Sequence, residues 1–294
     1  MMITVNILQK CLISRSILQR FTPGVVILST RNFWERDIRQ GRRSRQDKSR
    51  LHYLKEGLKV LKEEIKLWKD EVIEKFYDDP QHYIPGETKI IWTFDTQENL
   101  DKWILTCDKD NEEGFSECSF TLTKNRRGSF SGVLSNKVPK DGRVNRSGYC
   151  NIRSIRATKS FRRDTHLDWE LFTHLVLRVR GDGRSYLLNI STAGYFDVTW
   201  YDIYHYVLFT RGGPYWQTVK IPFSKFVLAS KGRIQDKQAR IPLHRIASLG
   251  ITCAGDISGS FHLEIDYIGL YWDKHYKEEF AYEMYQVPFY VIGS

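Results

Sequence analysis

The period of the apolar residues changes once along this chain, and that change limits the folds it can adopt. Between residues 49 and 79 the apolar positions step alternately by three and four. From Lys89 to Tyr271 they alternate with a period of two, interrupted by Gly- and Pro-containing turns. The first pattern is typical of one face of a helix and the second of half-buried strands. We therefore predict an amphipathic helix at 49–79, followed by a β domain at 88–273.

The predicted helix carries an apolar stripe that must be buried against something. The stripe consists of Leu51, Leu54, Leu58, Leu61, Ile65, Trp68 and Val72. Lys and Glu fill the positions between them, and Asp78-Asp79-Pro80 ends the helix. Three occupants remain open: the β domain of the same chain, a partner protein, or a second copy in a coiled coil. We take the seven stripe residues as the candidate partner-binding site.

Ten segments of the β domain are rich in β-branched and aromatic residues and are predicted to be strands. They are Lys89–Asp95, Glu117–Thr123, Ser129–Asn136, Gly148–Ile155, His174–Arg180, Tyr186–Thr192, Ile203–Thr210, Tyr215–Ile221, Leu243–Thr252 and Phe261–Tyr271. Turn sequences such as Gly181-Asp182-Gly183 separate them. Ten short strands without an intervening helical pattern predict a β-sandwich of the jelly-roll type.

The first 34 residues have the composition of a mitochondrial presequence. They contain no Asp or Glu, and basic residues are interleaved with apolar ones and Ser or Thr. Up to Arg50 there are 11 basic and 3 acidic residues, a net of +8 out of +10 for the whole chain. We interpret 1–34 as the presequence and 35–48 as a flexible basic linker. A nucleic-acid-binding arm is the alternative, but the nearly neutral remainder argues against nucleic acid as a partner.

Residues that could carry catalysis or bind a metal do not form a recognisable motif. The sequence contains no P-loop and no H-E-x-x-H helix. His262, Glu264 and Asp266 alternate along one predicted strand, and we interpret them as its solvated face rather than as a metal site. Cys107, Cys118, Cys150 and Cys253 are scattered, which favours buried or idle thiols over a zinc site. We predict no catalytic residues, no metal and no cofactor.

Aromatic residues are unusually dense in one region and in the tail. Trp200, Tyr201, Tyr204 and Trp216 are candidates for a surface aromatic patch, because a two-residue alternation cannot bury all the aromatic residues around them. Residues 274–294 form an aromatic-rich C-terminal tail. Exposed aromatic residues anchor protein interfaces or stack on sugars, whereas a thick sandwich core would absorb most of them.

Several short motifs, taken in order, resemble one known family. They are Trp92-Thr93-Phe94-Asp95, Trp103 with Asp108, Gly114-Phe115-Ser116-Glu117, Phe130-Ser131-Gly132-Val133-Leu134, Gly181-Asp182-Gly183-Arg184-Ser185-Tyr186, the run from Trp216 to Phe223, and Ile265-Asp266-Tyr267-Ile268. This ordered set is similar to the complex I intermediate-associated protein 30 family over roughly Thr88 to Trp272. Phe115 departs from the pattern, because members often carry a second glycine there.

The resemblance implies a galactose-binding-like β-sandwich and a non-enzymatic, chaperone-like role in mitochondrial complex I assembly. The implied partners are membrane-arm intermediates of complex I, the adaptor ECSIT and an acyl-CoA-dehydrogenase-related assembly factor. The implied location is the matrix side of the inner membrane, reached peripherally through partners. A module that binds carbohydrate or a small ligand is the alternative, and an enzyme with a site on the sandwich loops stays open.

Overall fold

The computed structural model describes residues 50–77, 85–111, 113–140, 142, 146–193, 202–230 and 232–279. The predicted presequence (1–34), the linker (35–48) and the tail beyond residue 279 lie outside the described residues. Residues from Lys55 onward belong to one compact unit, distinct from Met1–Leu54. None of the helices in the described ranges is long and apolar enough to cross a membrane.

Helix α1 covers Arg50–Tyr77, against the prediction of 49–79. Its sequence holds good helix formers in the intervening positions, chiefly Lys and Glu, with a single Gly57. Asp78-Asp79-Pro80 follows directly after its last residue. Because proline disfavours the helical conformation in the residue before it, this sequence accounts for the end of the helix.

Fifteen strands and one further short helix follow in the described residues. The strands are β1 Thr88–Thr93, β2 Trp103–Cys107, β3 Glu117–Leu122, β4 Gly128–Leu134, β5 Tyr149–Ser154, β6 Thr158–Lys159, β7 Arg163–Asp164, β8 His174–Arg180, β9 Ser185–Thr192, β10 Asp202–Phe209, β11 Gln217–Pro222, β12 Val227–Ser230, β13 Arg233–Ile234, β14 Ile246–Ala254 and β15 Gly259–Tyr271. Helix α2 covers Gln97–Leu100, and Thr96 caps it by accepting a hydrogen bond from the Asn99 amide. Single 3-10 turns lie at Asp108–Asn111, Ser160–Arg162, Phe223–Lys225 and Leu243–Arg245.

The strands form two antiparallel sheets and a separate hairpin. Sheet A has the order β11-β8-β15-β4-β3, with β1 also paired to β15, and sheet B has the order β13-β12-β10-β9-β14-β5-β2. The hairpin consists of β6 and β7. Strand β15 is long enough to pair with β4 through Gly259–Ile265 and with β1 through Tyr267–Tyr271. Strand β8 pairs along its other side, with a register shift between Ile265 and Tyr267.

The two sheets enclose one hydrophobic core. Trp103 from β2 packs against Trp92 from β1 and against Phe94, with ring centroids 5.5 and 5.4 Å apart. Trp92 also contacts Trp169, at 6.1 Å. A buried aromatic side chain of this size contributes about 3–5 kcal/mol by the cost of truncating it to alanine. This aromatic cluster ties the first two strands of the domain to the rest of the sandwich.

The predicted fold class, a mainly β sandwich preceded by one long helix, is confirmed. The prediction of ten strands without helices was incomplete, because the described residues add α2, β2, β12 and the two-residue strands β6, β7 and β13. Strands β2 and β3 are the edge strands of sheets B and A, and they lie next to each other where the two sheets meet. We call the region where these two edge strands meet the seam. The loop that follows β2 also lies there.

Candidate functional site

The apolar stripe of α1 is largely exposed in the described part of the chain. Leu58, Leu61, Ile65 and Trp68 have between 40% and 66% of their surface accessible, and Val72 is half-buried. The side chains of the other two candidate residues, Leu51 and Leu54, lie outside the described residues. The β domain of the same chain therefore leaves these four side chains available to another occupant.

Two carboxylates on a neighbouring face of α1 hold the helix to the β6–β7 hairpin. Glu71 accepts hydrogen bonds from the backbone amide and the hydroxyl of Ser160, the latter at 3.1 Å, and pairs with Arg163 at 2.7 Å. Glu64 accepts from the Phe161 amide at 2.6 Å. The hydrogen bond from the Ser160 amide lowers the pKa of Glu71. The helix is thus anchored through polar contacts.

Charged residues flank the stripe on both sides, acidic on one side and basic on the other. With about 3.6 residues per turn, Glu64 and Glu71 lie one turn beyond Leu61 and Trp68, at a spacing of three. Exposed lysines form the other border, and Lys62 and Lys69 follow Leu58 and Ile65 at a spacing of four. Lys59 and Lys66 extend this row and are exposed as well. The glutamates on one side contact the β6–β7 hairpin of the same chain, whereas the lysines on the other side face solvent.

Sequence reasoning missed the two anchoring glutamates. Their spacing of seven, in the same heptad phase beside the stripe, was the available signal. It was not specific, because Lys and Glu occupy most of the intervening positions. The partner of these glutamates, a hairpin of two-residue strands with Phe161 at a positive φ of 58°, has no comparable signal in the sequence.

Glu264 and Asp266 are engaged in ion pairs on the outer face of sheet A, and the His262 ring lies beside Glu264. Glu264 pairs with Arg180 at 2.6 Å and lies 3.3 Å from His262 Nε2. Asp266 pairs with Arg127 and Arg178, both at 2.8 Å. Burial raises the pKa of Glu264, but the hydrogen bonds from Arg180 and His262 outweigh it, so the pKa lies below its usual value. A carboxylate held ionised in this way is poorly suited to act as a general acid near neutral pH.

The four candidate aromatic residues do not form one patch in the described residues. Tyr204 is buried, because it points into the core from β10, and its hydroxyl donates to the Arg240 carbonyl at 3.0 Å. Trp216 is half-buried beside two guanidinium groups, with Arg178 at 5.6 Å and Arg180 at 5.2 Å from its ring centroid. Trp200 and Tyr201 lie outside the described residues. Tyr204 is therefore removed from the surface set, and Trp216 takes part in cation–π contacts.

Four of the five cysteines, which are scattered in the sequence, come together in the structure. Cys107, Cys150 and Cys253 occupy matching positions on the neighbouring strands β2, β5 and β14. Cys118 reaches the same region from β3, and its thiol donates to the Thr106 carbonyl, next to Cys107, at 3.9 Å. All four thiols are free. Even so, no group of three or more His, Cys, Asp or Glu among the described residues is arranged to hold a metal ion.

One small cavity lies at the end of the sandwich near the described C-terminal segment. Its volume is about 260 Å³, and its apolar walls include Phe172, Phe223 and Phe226. Tyr276 lines it, and its hydroxyl lies 2.6 Å from the Ser224 hydroxyl. Ligand pockets span about 300–1,000 Å³, so this cavity is smaller than the usual range for a drug-sized molecule.

The motif residues around the seam serve the fold. Asp108 is fully buried and accepts hydrogen bonds from the Ser116 amide at 2.8 Å, the Ser116 hydroxyl at 3.0 Å and the Gly148 amide at 2.9 Å. Gly114 packs against it so closely that a Cβ there would lie 2.2 Å from Asp108 Oδ2. Phe115, which departs from the motif, is exposed. The departure is therefore accommodated at the surface.

Asp182 has a comparable structural role in the loop between β8 and β9. It accepts hydrogen bonds from the Arg184 amide at 3.0 Å, the Tyr186 hydroxyl at 3.2 Å and the His262 amide at 2.9 Å. Gly183, within the same turn, adopts a positive φ of 93°, which side-chain-bearing residues rarely adopt. This motif therefore fixes a turn and ties it to β15.

Comparisons with known proteins agree with the motifs. A family model described as "Complex I intermediate-associated protein 30" matches residues 92–265. The chain is similar to the mitochondrial complex I intermediate-associated protein 30 of Drosophila melanogaster, with 49% identity over 268 residues that cover 90% of each chain. The Mus musculus relative of the same name is 44% identical over 204 residues, which cover 69% of this chain and 62% of that protein.

Among solved structures, the chain has a limited likeness to a carbohydrate-binding module. The family 11 module of a cellulosomal cellulase from Clostridium thermocellum is 16% identical with a TM-score of 0.44. The match covers 66% of this chain and all of that module.

Proposed function

This chain belongs to the complex I intermediate-associated protein 30 family, and we propose from that premise that it acts in the assembly of mitochondrial complex I. The support is the extent of the similarity. The Drosophila relative, whose name carries both the mitochondrial location and the complex I association, aligns over 90% of this chain.

We propose further that the role is non-enzymatic and chaperone-like, in that the protein holds assembly intermediates and partner factors. The proposed partners are membrane-arm intermediates of complex I, ECSIT and an acyl-CoA-dehydrogenase-related assembly factor. The proposed location is the matrix side of the inner membrane, reached through these partners. The engagement of Glu264 and Asp266 in ion pairs supports a binding role over acid–base chemistry.

The observation that carries this proposal is the exposed stripe of an anchored helix. Glu64 and Glu71 fix one face of α1 to the hairpin, so the stripe is presented in a defined direction. Lys62 and Lys69 border its free side. We therefore propose a protein partner with an apolar groove whose rim carries carboxylates facing these lysines, because complementary rim charges fix the register of a docked helix.

The stripe can supply most of the affinity that such a contact needs. Full burial of a leucine or isoleucine side chain is worth about 1.5–3 kcal/mol. Because Leu61 and Ile65 expose only 45% and 40% of their surface before docking, replacing both by Asp would remove about 1.3–2.6 kcal/mol of burial and would add the cost of desolvating two carboxylates. Since about 1.4 kcal/mol corresponds to a factor of ten, partner affinity is expected to fall on the order of 100-fold or more.

The test uses cells lacking the protein, complemented with full-length variants. The stripe variant is Leu61→Asp with Ile65→Asp. The matched control is Val60→Asp with Leu67→Asp, since these residues are also exposed, at 46% and 53%, but lie off the stripe. Mitochondrial complexes are separated on native gels and stained for NADH dehydrogenase activity, and partners recovered with each variant are quantified.

Each result has a separate meaning for the function and for the interface. Loss of mature complex I in the deletion supports the assembly function, and normal complex I there would refute it. The control is expected to restore both the enzyme and partner recovery, whereas the stripe variant restores neither. Full rescue by the stripe variant would refute the interface. Unchanged partner recovery together with lost binding to anionic lipid vesicles would assign the stripe to a membrane surface.

A further inference from the structure

Three buried thiols form a row across sheet B at the seam. Cys107 pairs in register with Cys150, and Cys150 pairs in register with Cys253. All three point into the core, where Cys150 is fully buried and the other two nearly so. Cross-strand neighbours on one face of a sheet lie within side-chain contact distance. The fold thus gathers residues that are up to 146 positions apart in the chain.

A fourth thiol meets this row from the other sheet. Cys118 lies on β3, an edge strand of sheet A, and its thiol donates to the Thr106 carbonyl of β2 at 3.9 Å. Strand β3 also packs against β5, the strand that carries Cys150. Unlike the row, Cys118 is half-buried rather than buried. Because β2 and β3 are both edge strands, solvent can approach Cys118 from the side of the sandwich.

The electrostatics distinguish Cys118 from the other three thiols. The interaction with the Cys150 thiol lowers the pKa of Cys118, whereas the interaction with Cys118 and burial raise the pKa of Cys150. Burial raises the pKa of Cys107 and that of Cys253 to about 11 each. Of these four thiols, Cys118 is the one whose pKa is lowered and the one that is not buried. The thiolate is the form that reacts with oxidants.

We propose that Cys118 is a peroxide-sensitive thiol and that it forms a reversible disulfide with Cys150 across the seam. The proposal goes beyond the assembly function and does not depend on it. It concerns the covalent state of the sandwich, whereas the assembly function was inferred from family membership and helix α1.

The chemistry balances with a hydroperoxide as the oxidant. The Cys118 thiolate attacks the peroxide oxygen, and hydrogen peroxide yields the sulfenic acid of Cys118 and hydroxide. The Cys150 sulfur then attacks the Cys118 sulfur, and its proton leaves with the sulfenic hydroxyl as water. Two thiols have lost two electrons and one peroxide has been reduced to water. A cellular dithiol reverses the step by thiol–disulfide exchange and is itself oxidised to a disulfide.

The bond would join β3 of sheet A to β5 of sheet B. The two sheets meet at the seam without a covalent link in the reduced protein. A disulfide there constrains the chain between residues 118 and 150, which includes the Asp108-bound Gly148. The expected consequence is a more rigid seam, measurable as slower amide exchange in β3 and β5.

The first experiment needs no substitution. The reduced full-length protein is exposed to limiting iodoacetamide at neutral pH, and each cysteine is followed by peptide mass spectrometry, which also separates Cys11. Cys118 is expected to be alkylated at least about tenfold faster than Cys253. Equal rates at Cys118 and Cys253 would overturn the assignment of Cys118 as the reactive thiol.

The second experiment identifies the bond. After treatment with hydrogen peroxide, non-reducing peptide maps are compared for the wild type, Cys118→Ser, Cys150→Ser and the matched control Cys253→Ser. The Cys118–Cys150 linked peptide is expected in the wild type and the control and absent from the other two. In Cys150→Ser, the sulfenic acid at Cys118 should persist and be trapped by dimedone.

Two outcomes would overturn the proposal. One is the absence of a linked peptide in the wild-type protein, which requires no variant to fold. The other is a Cys107–Cys150 link in place of the proposed one. Melting of each variant, followed by circular dichroism, separates a chemical effect from a loss of fold.

Discussion

Removing the buried Asp108 carboxylate should destabilise the sandwich more than any loss of surface charge. The carboxylate joins the loop after β2 to Ser116 before β3 and to Gly148 before β5. In Asp108→Ala the Ser116 hydroxyl keeps an alternative acceptor, the Ser135 carbonyl at 3.3 Å. The backbone amides of Ser116 and Gly148 lose the acceptor that they share. The substitution therefore leaves two backbone donors without that acceptor beside a new void.

The magnitude follows from these two donors. A buried donor left without an acceptor costs about 1–3 kcal/mol, so the pair costs about 2–6 kcal/mol. Taking a middle value of about 4 kcal/mol, the melting temperature of a domain of this size should fall by about 8–16 °C. Asp108→Asn keeps the shape and one acceptor oxygen but turns an amide NH₂ toward a donor. The loss of folding stability in Asp108→Asn should be smaller than that in Asp108→Ala.

The assay is chemical and thermal unfolding of the purified full-length variants, followed by circular dichroism and tryptophan fluorescence. Asp256→Ala is the control, because Asp256 is an exposed carboxylate in the turn before β15. Its effect is expected within about 0.5 kcal/mol of the wild type. If Asp108→Ala unfolds within about 1 kcal/mol of the wild type, Asp108 does not organise the seam and the structural interpretation of the motif fails.

Two further predictions concern the anchoring of α1 and the response of the sandwich to acid. Replacing both Glu64 and Glu71 by Ala should speed hydrogen exchange at the Ser160 and Phe161 amides and leave the melting of the sandwich unchanged; unchanged exchange would refute the anchor. Burial lowers the pKa of His205 in the folded state. As the pH falls, the unfolded chain therefore takes up a proton at this histidine before the folded protein does. The stability that His205 contributes is present above about pH 6.5 and is lost as the pH falls below it. His205→Gln should flatten that part of the pH dependence in urea unfolding, and an NMR titration of His205 with a midpoint above 6.5 would contradict the sign.

The sequence was sufficient to predict those strands whose pattern is local. Strand β8 was predicted at His174–Arg180 and is observed there. Strand β2, Trp103–Cys107, was missed because its sequence, Trp-Ile-Leu-Thr-Cys, opens with three consecutive apolar residues and does not alternate. A short run of that kind is equally compatible with a buried helix turn or a strand. Its assignment depends on pairing with β5, which is 46 residues further along the chain when counted from Trp103 to Tyr149.

The candidate site was predictable only where it depends on one helix. The stripe residues follow from spacing alone, because residues three and four apart share a face. The direction in which Tyr204 points depends on the register of β10 against β9, and a slip of one residue would have exposed it. The cysteine cluster is even harder to predict from the sequence alone. Cys253 meets Cys150 only because β14 inserts between β5 and β9.

The family motifs build the fold rather than a binding surface, and for that reason family membership alone does not locate the interface. Asp108, Gly114 and Asp182 identify the family, yet each is engaged in holding a loop or turn of the sandwich. Residues that build a fold recur in order whatever the fold binds, so their match indicates architecture first. Helix α1 lies before residue 92, where the family match begins. If the stripe is the proposed interface, variation in this helix changes partner choice without disturbing the motifs. The Leu61 and Ile65 substitutions then separate recognition from folding.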